Sequence, residues 1–126
     1  MWDDTQVQTF TAILKGFGFN VIHDKTLTEK FGYFAGTDEL RANEINDLFA
    51  NENVKGIFCM KGGWGCARIL DKIDYSLIEK NPKVIIGFSD ITALLIAITA
   101  KTELITFHGP VGNSGWNDFT KSVFMD

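Results

Sequence analysis

Residues Lys83 to Leu95 read K-V-I-I-G-F-S-D-I-T-A-L-L, and the reading of this stretch decides the fold. Lys83 to Phe88 is an apolar, partly β-branched run containing Gly87, the composition of a strand buried on both faces. From Asp90 to Lys101 the pattern turns helical. Ser89 stands on the hinge between the two, and two readings of it are open at the level of the residues. A Ser before Asp-Ile-Thr has the look of an N-cap, its hydroxyl accepting a first-turn N–H. A Ser on a tight strand-to-helix turn is also what a nucleophile elbow requires, where the hydroxyl is lifted into a cleft to attack a carbonyl. Gly87 supplies the small residue two positions before the Ser, while Ile91 stands where the second Gly of G-x-S-x-G would be.

Working outward, the same strand-then-helix unit recurs. Val54 to Met60 reads as a strand, Gly62-Gly63-Trp64-Gly65 as a glycine turn and Ala67 to Ile73 as a short helix, with Asp74 to Lys80 a further helical turn closed by Asn81-Pro82. Leu104 to Phe107 is a strand entering His108-Gly109-Pro110. Nearer the start, Val7, Phe10, Ile13, Leu14 and Phe17 recur at helical spacing, stopped by Gly16 and Gly18 before a short strand, Phe19 to Ile22. Thr37 is placed to cap a helix with Asp38 and Glu39 in its first turn and Leu40, Ile45, Leu48 and Phe49 on its apolar face, ending near Asn51. Near-continuous apolar strands separated by helices imply a doubly wound, mostly parallel α/β layer covered on both faces.

The 126 residues make one domain of ordinary size, and 45% hydrophobic with 22% charged residues is a soluble globular balance. A net charge of -4 offers no basic patch, so nucleic acid is a poor partner. Cys59 and Cys66 fit no zinc or redox spacing, so no metal and no disulfide framework are expected, and a reducing cytoplasm is the default compartment. The longest apolar run, Ile91 to Ala100, is roughly half of the ~20 residues a bilayer needs. Met1-Trp2-Asp3-Asp4 carries no basic leader, and neither export nor a membrane partner is expected.

In an open parallel sheet, ligands collect outside the carboxyl ends of the strands. Gly62 to Gly65, Ser89-Asp90 and His108 to Pro110 are the loops that fit this place. The glycine turn reads as a plain turn, a phosphate cradle or an oxyanion hole completed by the Asp90 N–H. As a dinucleotide fingerprint it fails, since Arg68 takes the third glycine position counted from Gly63. His108 lies near the proposed cleft, where a structural or pocket-lining role ranks above that of base, whereas His23 reads as a surface residue.

Three segments then carry a family resemblance: K-G-G-W-G-C-A-R-I-L from Lys61, D-Y-S-L-I-E-K-N-P-K-V-I-I-G-F-S-D-I-T-A-L-L from Asp74, and A-K-T-E-L-I-T-F-H-G-P from Ala100. With F-G-Y-F-A-G-T-D-E-L-R-A upstream, the chain from about Phe19 to Pro110 closely resembles the LD-carboxypeptidase family of serine peptidases, which includes the microcin C self-immunity proteins. The resemblance implies a flavodoxin-like, class I glutamine amidotransferase-like α/β fold with a nucleophile elbow, and a Ser-His-Glu triad. Ser89 matches the nucleophile; Gly62, Gly63 and Asp90 would supply the oxyanion hole, and Trp64 and His108 would line the substrate pocket. The implied activity is hydrolysis of the bond between an L-centre diamino acid and D-alanine in muropeptides, in peptidoglycan recycling, without a cofactor. A hydrolase of peptidyl or acyl-sulfamoyl nucleotides is the alternative, and a non-catalytic α/β ligand-binding module is the rival from another class.

In that family the His and Glu come from a second, C-terminal domain, and His108 matches the non-catalytic H-G-P segment. Residues 1–112 are therefore expected to be the nucleophile domain lacking its first strand, with 113–126 starting a linker to an absent domain. Such a fragment is expected to be inactive alone. Its bare docking face should leave Trp64 and Trp116 partly exposed, with a homodimer as one way of covering them. Lys61 stands where an Arg is common before the glycine turn.

Overall fold

The computed structural model describes residues 3–23 and 25–126; Met1 and Trp2, read above for the absence of a leader, lie outside them. Three parallel strands form the sheet in the order β1 (Gly56–Phe58), β2 (Val84–Gly87), β3 (Phe107–His108). Gly56 pairs with Val84 and Phe58 with Ile86; Ile86 then pairs with Phe107 and Gly87 with His108. Because successive side chains point to opposite faces, this register sorts the apolar residues into two layers. Ile57 and Ile85 enter the larger core, where Ala42 and Phe49 of α2 (Asp38–Ala50), Ile78 of α3 (Tyr75–Lys80) and Leu94, Leu95 and Ile98 of α4 (Thr92–Thr102) close around them. Phe58 enters a second core with Phe10 and Leu14 of α1 (Asp4–Gly16) and Trp116. Helices thus cover both faces, the doubly wound arrangement expected. Among the described residues no helix is long and apolar enough to cross a membrane.

The helix starts follow from capping. Asp3 and Gln6 form a reciprocal capping box on α1. Thr37 Oγ1 accepts the Leu40 N–H at 3.2 Å, the cap expected for α2. Asp74 caps α3 through the Leu77 N–H at 2.9 Å.

Several expectations are corrected. Phe19 to Ile22 forms no strand. A strand needs a partner ladder, and between Val21-Ile22 and Phe58 lies a cavity of about 390 Å³ lined also by Phe10, Leu14 and Leu48. The strand expected over Leu104 to Phe107 is reduced to Phe107–His108, with Thr106 turned to bond Thr99 Oγ1 at 3.0 Å. The short helix expected over Ala67 to Ile73 is a 3-10 segment, Cys66–Lys72, with Ile73 already extended beyond its end. Trp116, expected near the surface, is only 9% exposed. Its Nε1–H donates to the Val111 carbonyl at 3.1 Å, and its ring packs on Phe10, Phe17 and Phe124 at 5.5 to 6.0 Å. Phe124 belongs to α5 (Asp118–Met125), whose Phe119, Val123 and Met125 stay exposed.

Candidate active site

All three loops singled out in the sequence meet at the carboxyl ends of the strands. The chain leaves β2 at Gly87, passes through extended Phe88 and turns at Ser89, which has φ 61°, into a 3-10 turn, Ser89–Ile91, that feeds α4. A left-handed φ costs a non-glycine residue about 1–2 kcal/mol, and strain of this kind collects where a side chain must be aimed. Ser89 is exposed. The N-cap positions of the turn and of α4 fall on Phe88 and Ile91, and among the described residues no hydrogen bond engages the Ser89 side chain, so the capping role read from the sequence is not realised. The left-handed turn aims the hydroxyl elsewhere.

What the hydroxyl faces is the glycine turn. A Cβ placed on Gly62 would lie 2.8 Å from Ser89 Cβ, 3.2 Å from Ser89 Oγ and 3.0 Å from the Phe88 carbonyl oxygen. Only a glycine backbone approaches so closely. Likewise, a Cβ on Gly87 would collide with Ile91. Ile91 therefore fills the space that Gly87 leaves open, which accounts for a tight turn without the second glycine of G-x-S-x-G. Among the described residues no backbone hydrogen bond engages the N–H of Gly62, Gly63 or Asp90. Donors left free beside an exposed hydroxyl are what stabilisation of a developing oxyanion requires.

Asp90 ties the two loops together: its Oδ2 accepts the Cys66 N–H at 2.9 Å. Farther along the turn Gly65, at φ 124°, has its Cα against Phe34, with the Phe34 Cε1 atom 2.6 Å from where a Cβ would be. Arg41 Nη1 and Nη2 both donate to the Gly65 carbonyl at 3.4 Å. Phe34 stacks on Trp64 with ring centroids 5.7 Å apart, and the Arg41 and Arg68 guanidinium carbons lie 4.9 and 5.3 Å from the Phe34 centroid. Asp38 holds both guanidiniums. A cavity of about 460 Å³ opens here, lined by Tyr33, Trp64, Lys61, Gly62, Gly63 and Asp90 among others. Trp64, one of the lining residues, is 62% exposed.

His108 is exposed on β3 with its ring edge-on to Phe88, centroids 5.2 Å apart; neither it nor Ser89 is among the residues lining that cavity, which borders the elbow through Gly62 and Asp90. Among the described residues no hydrogen bond joins it to Ser89. His23 is exposed and borders the separate cavity beside α1. The cysteines do not compete as nucleophiles. Burial pushes both thiols up to about 12, helped at Cys66 by the Asp90 carboxylate beside it, so neither is a thiolate at neutral pH. Among the described residues no group of His, Cys, Asp and Glu is placed to hold a metal ion.

Sequence reasoning missed Tyr33, Phe34, Asp38 and Arg41 as site residues. The three-residue spacing of Asp38 and Arg41 on one helix face was the local signal available; nothing local announces the contact of Phe34 with Trp64. The bonds from Arg68, and then from Arg41, hold the Asp38 carboxyl down to about 2, against an ordinary value near 3.8. A depressed folded-state pKa gives stability that is present above the unfolded value and lost as pH falls through the folded one. Thermal melts from pH 5 to 2 should show the wild type losing stability over this range, and Asp38→Asn losing less of it. Parallel acid limbs for the two proteins would show that the pair contributes nothing.

Comparison with known proteins gives a consistent result. The family model described as the LD-carboxypeptidase N-terminal domain matches residues 2–109. A probable murein peptide carboxypeptidase of Bacillus subtilis is 41% identical over 109 residues, covering 86% of this chain and 34% of that protein. The microcin C7 self-immunity protein MccF of Escherichia coli is 44% identical over 93 residues, covering 74% of this chain and 27% of its own. A solved structure of that name, in complex with aspartyl sulfamoyl adenosine, superposes with a TM-score of 0.88 at 36% identity over 95% of this chain and 38% of that one. Another is described as an active-site mutant in which a serine, an asparagine and a lysine are replaced by alanine. The muramoyltetrapeptide carboxypeptidase of Oxalobacter formigenes superposes with a TM-score of 0.87 at 28% identity, covering 98% of this chain and 43% of that one. The chain spans about a third of the length of the curated relatives it matches.

Proposed function

The chain belongs to the LD-carboxypeptidase family, and from that premise we propose that it is the nucleophile domain of a serine carboxypeptidase that removes D-alanine from muropeptides. The observation that carries this reading is Ser89: exposed, left-handed, at the carboxyl end of a central parallel strand, and pressed against Gly62. In this reading Ser89 Oγ attacks the carbonyl of the diamino acid and passes its proton to a His. The N–H groups of Gly62, Gly63 and Asp90 bind the resulting oxyanion. Collapse expels D-alanine with that proton, and water then releases the acyl group from Ser89. Trp64 borders the group being cleaved, and His108 supports the elbow through Phe88 instead of acting as the base. The base and its Glu come from a second domain, the nucleophile domain ending near residue 112. The reaction belongs to cytoplasmic recycling of cell-wall peptides and draws on no cofactor.

A second reading keeps the chemistry and changes the substrate to an acyl-sulfamoyl nucleotide, favoured by the likeness to the MccF complex. The intact protein, incubated with a murein tetrapeptide or with aspartyl sulfamoyl adenosine and followed by mass spectrometry, separates the two. Release of D-alanine from the first alone is expected. Cleavage of the second alone would move the assignment to the nucleotide branch, and cleavage of neither, with either substrate bound, would leave a ligand-binding module.

A further inference from the structure

The glycine turn has no regular secondary structure to hold it, yet a hole for an oxyanion works only if its donors are fixed before the charge develops. Gly62 is located by its contact with Ser89. The far end of the turn is located by Arg41. This arginine reaches from α2 across 24 residues of sequence to the Gly65 carbonyl with both terminal nitrogens, and its side chain is largely buried at 15% exposure. Asp38, one turn earlier on α2, takes a further Arg41 Nη2 bond and fixes the plane of the guanidinium, while its second oxygen accepts Arg68 at 2.7 Å. Arg68 follows the glycine turn in the chain. A single carboxylate therefore clamps the helix that carries Arg41 to the segment that leaves the turn, with Phe34 filling the space between the guanidiniums and Gly65.

We propose that Arg41, locked by Asp38, is a positioning residue of the hydrolytic site: through the Gly65 carbonyl it sets the angle at which the Gly62 and Gly63 N–H groups face Ser89. The inference rests on the serine-hydrolase reading above. It gives the T-D-E-L-R segment a task in catalysis although neither Asp38 nor Arg41 touches the reacting atoms. The two-pronged bond is specific to a guanidinium, since the lysine ammonium is a compact point charge without the planar fork.

The test compares wild type, Arg41→Ala, Arg41→Lys and Ser89→Ala in the intact protein, each checked for an unchanged fold by circular dichroism at the assay temperature. Arg41→Ala is expected to lower kcat by roughly 10–100-fold with KM within about 3-fold, because a misaligned oxyanion hole costs transition-state binding alone. Arg41→Lys should recover little of this, and added guanidinium at millimolar concentration should restore part of kcat to Arg41→Ala and none to Arg41→Lys. A loss confined to KM, full rescue by Lys, or wild-type kcat in Arg41→Ala would overturn the assignment. If wild type and Ser89→Ala are equally inert, the hydrolase reading fails on its own account. Acrylamide quenching of Trp64, isolated by subtraction of the Trp64→Phe signal, then judges the clamp. Faster quenching in Arg41→Ala is the expected result, and unchanged quenching rejects it.

Discussion

Ser89→Ala in the intact protein is expected to lower kcat by roughly 10³-fold or more while moving the melting temperature by no more than about 2 °C. The first half follows from covalent chemistry: no neighbouring group can replace an oxygen that must form the acyl bond, and the thiols of half-buried Cys59 and buried Cys66 are protonated at neutral pH. The second half follows from what the Ser89 side chain does not do. It caps neither the 3-10 turn nor α4, so its removal forfeits no helix-terminal hydrogen bond. Alanine also bears the same left-handed strain at φ 61° as serine, so the backbone cost cancels between the two proteins. His108→Ala should behave differently. Losing a ring that rests on Phe88 should slow turnover modestly and leave the acyl-enzyme step intact. A His108 variant as dead as Ser89→Ala, with the fold preserved, would make His108 the base. Full activity in Ser89→Ala would remove the serine mechanism and bring the binding-module reading forward.

That contrast marks how far the sequence alone could be read. The strand-to-helix junction at Gly87-Phe88-Ser89 was legible because it is local: an apolar run of strand length meets a helical pattern within one residue, and both β2 and α4 form where expected. The placement of Gly62 to Gly65 beside Ser89 was legible from the fold rule that puts loops after parallel strands on one edge. What failed was what depends on a partner in space. Phe19 to Ile22 has strand composition but faces a cavity instead of a neighbouring ladder. Trp116 stands in a polar stretch that suggests surface, yet three Phe rings and the Val111 carbonyl enclose it. Ser89 has the residue type and position of a cap, and only its backbone angle shows that its hydroxyl is turned away. The Asp38 clamp spans 30 residues of sequence to Arg68, a distance no periodicity reports.

Gly62→Ala is the most economical probe of the site, because it adds one methyl group and removes no functional atom. The new Cβ would sit 2.8 Å from Ser89 Cβ and 3.0 Å from the Phe88 carbonyl oxygen, and neither is the far end of a flexible side chain. One is fixed to a strained backbone and the other is backbone, so the two loops must separate by several tenths of an ångström. Overpacking of this kind costs about 1–3 kcal/mol. The larger effect is on chemistry: the displacement falls on the Ser89 side chain and the neighbouring N–H donors at once, and misplacement on the ångström scale costs on the order of 10²-fold in rate. Gly62→Ala is accordingly expected to lose about 10²-fold in kcat/KM with a melting temperature depressed by some 4–8 °C. Gly16→Ala makes the same chemical change at the end of α1 with nothing within 4 Å of the new atom, and should leave activity untouched. A Gly62→Ala enzyme with wild-type turnover would show that the close approach is packing without catalytic consequence. A loss of stability without a loss of rate per folded molecule would say the same, and the oxyanion donors would then have to be sought away from this turn.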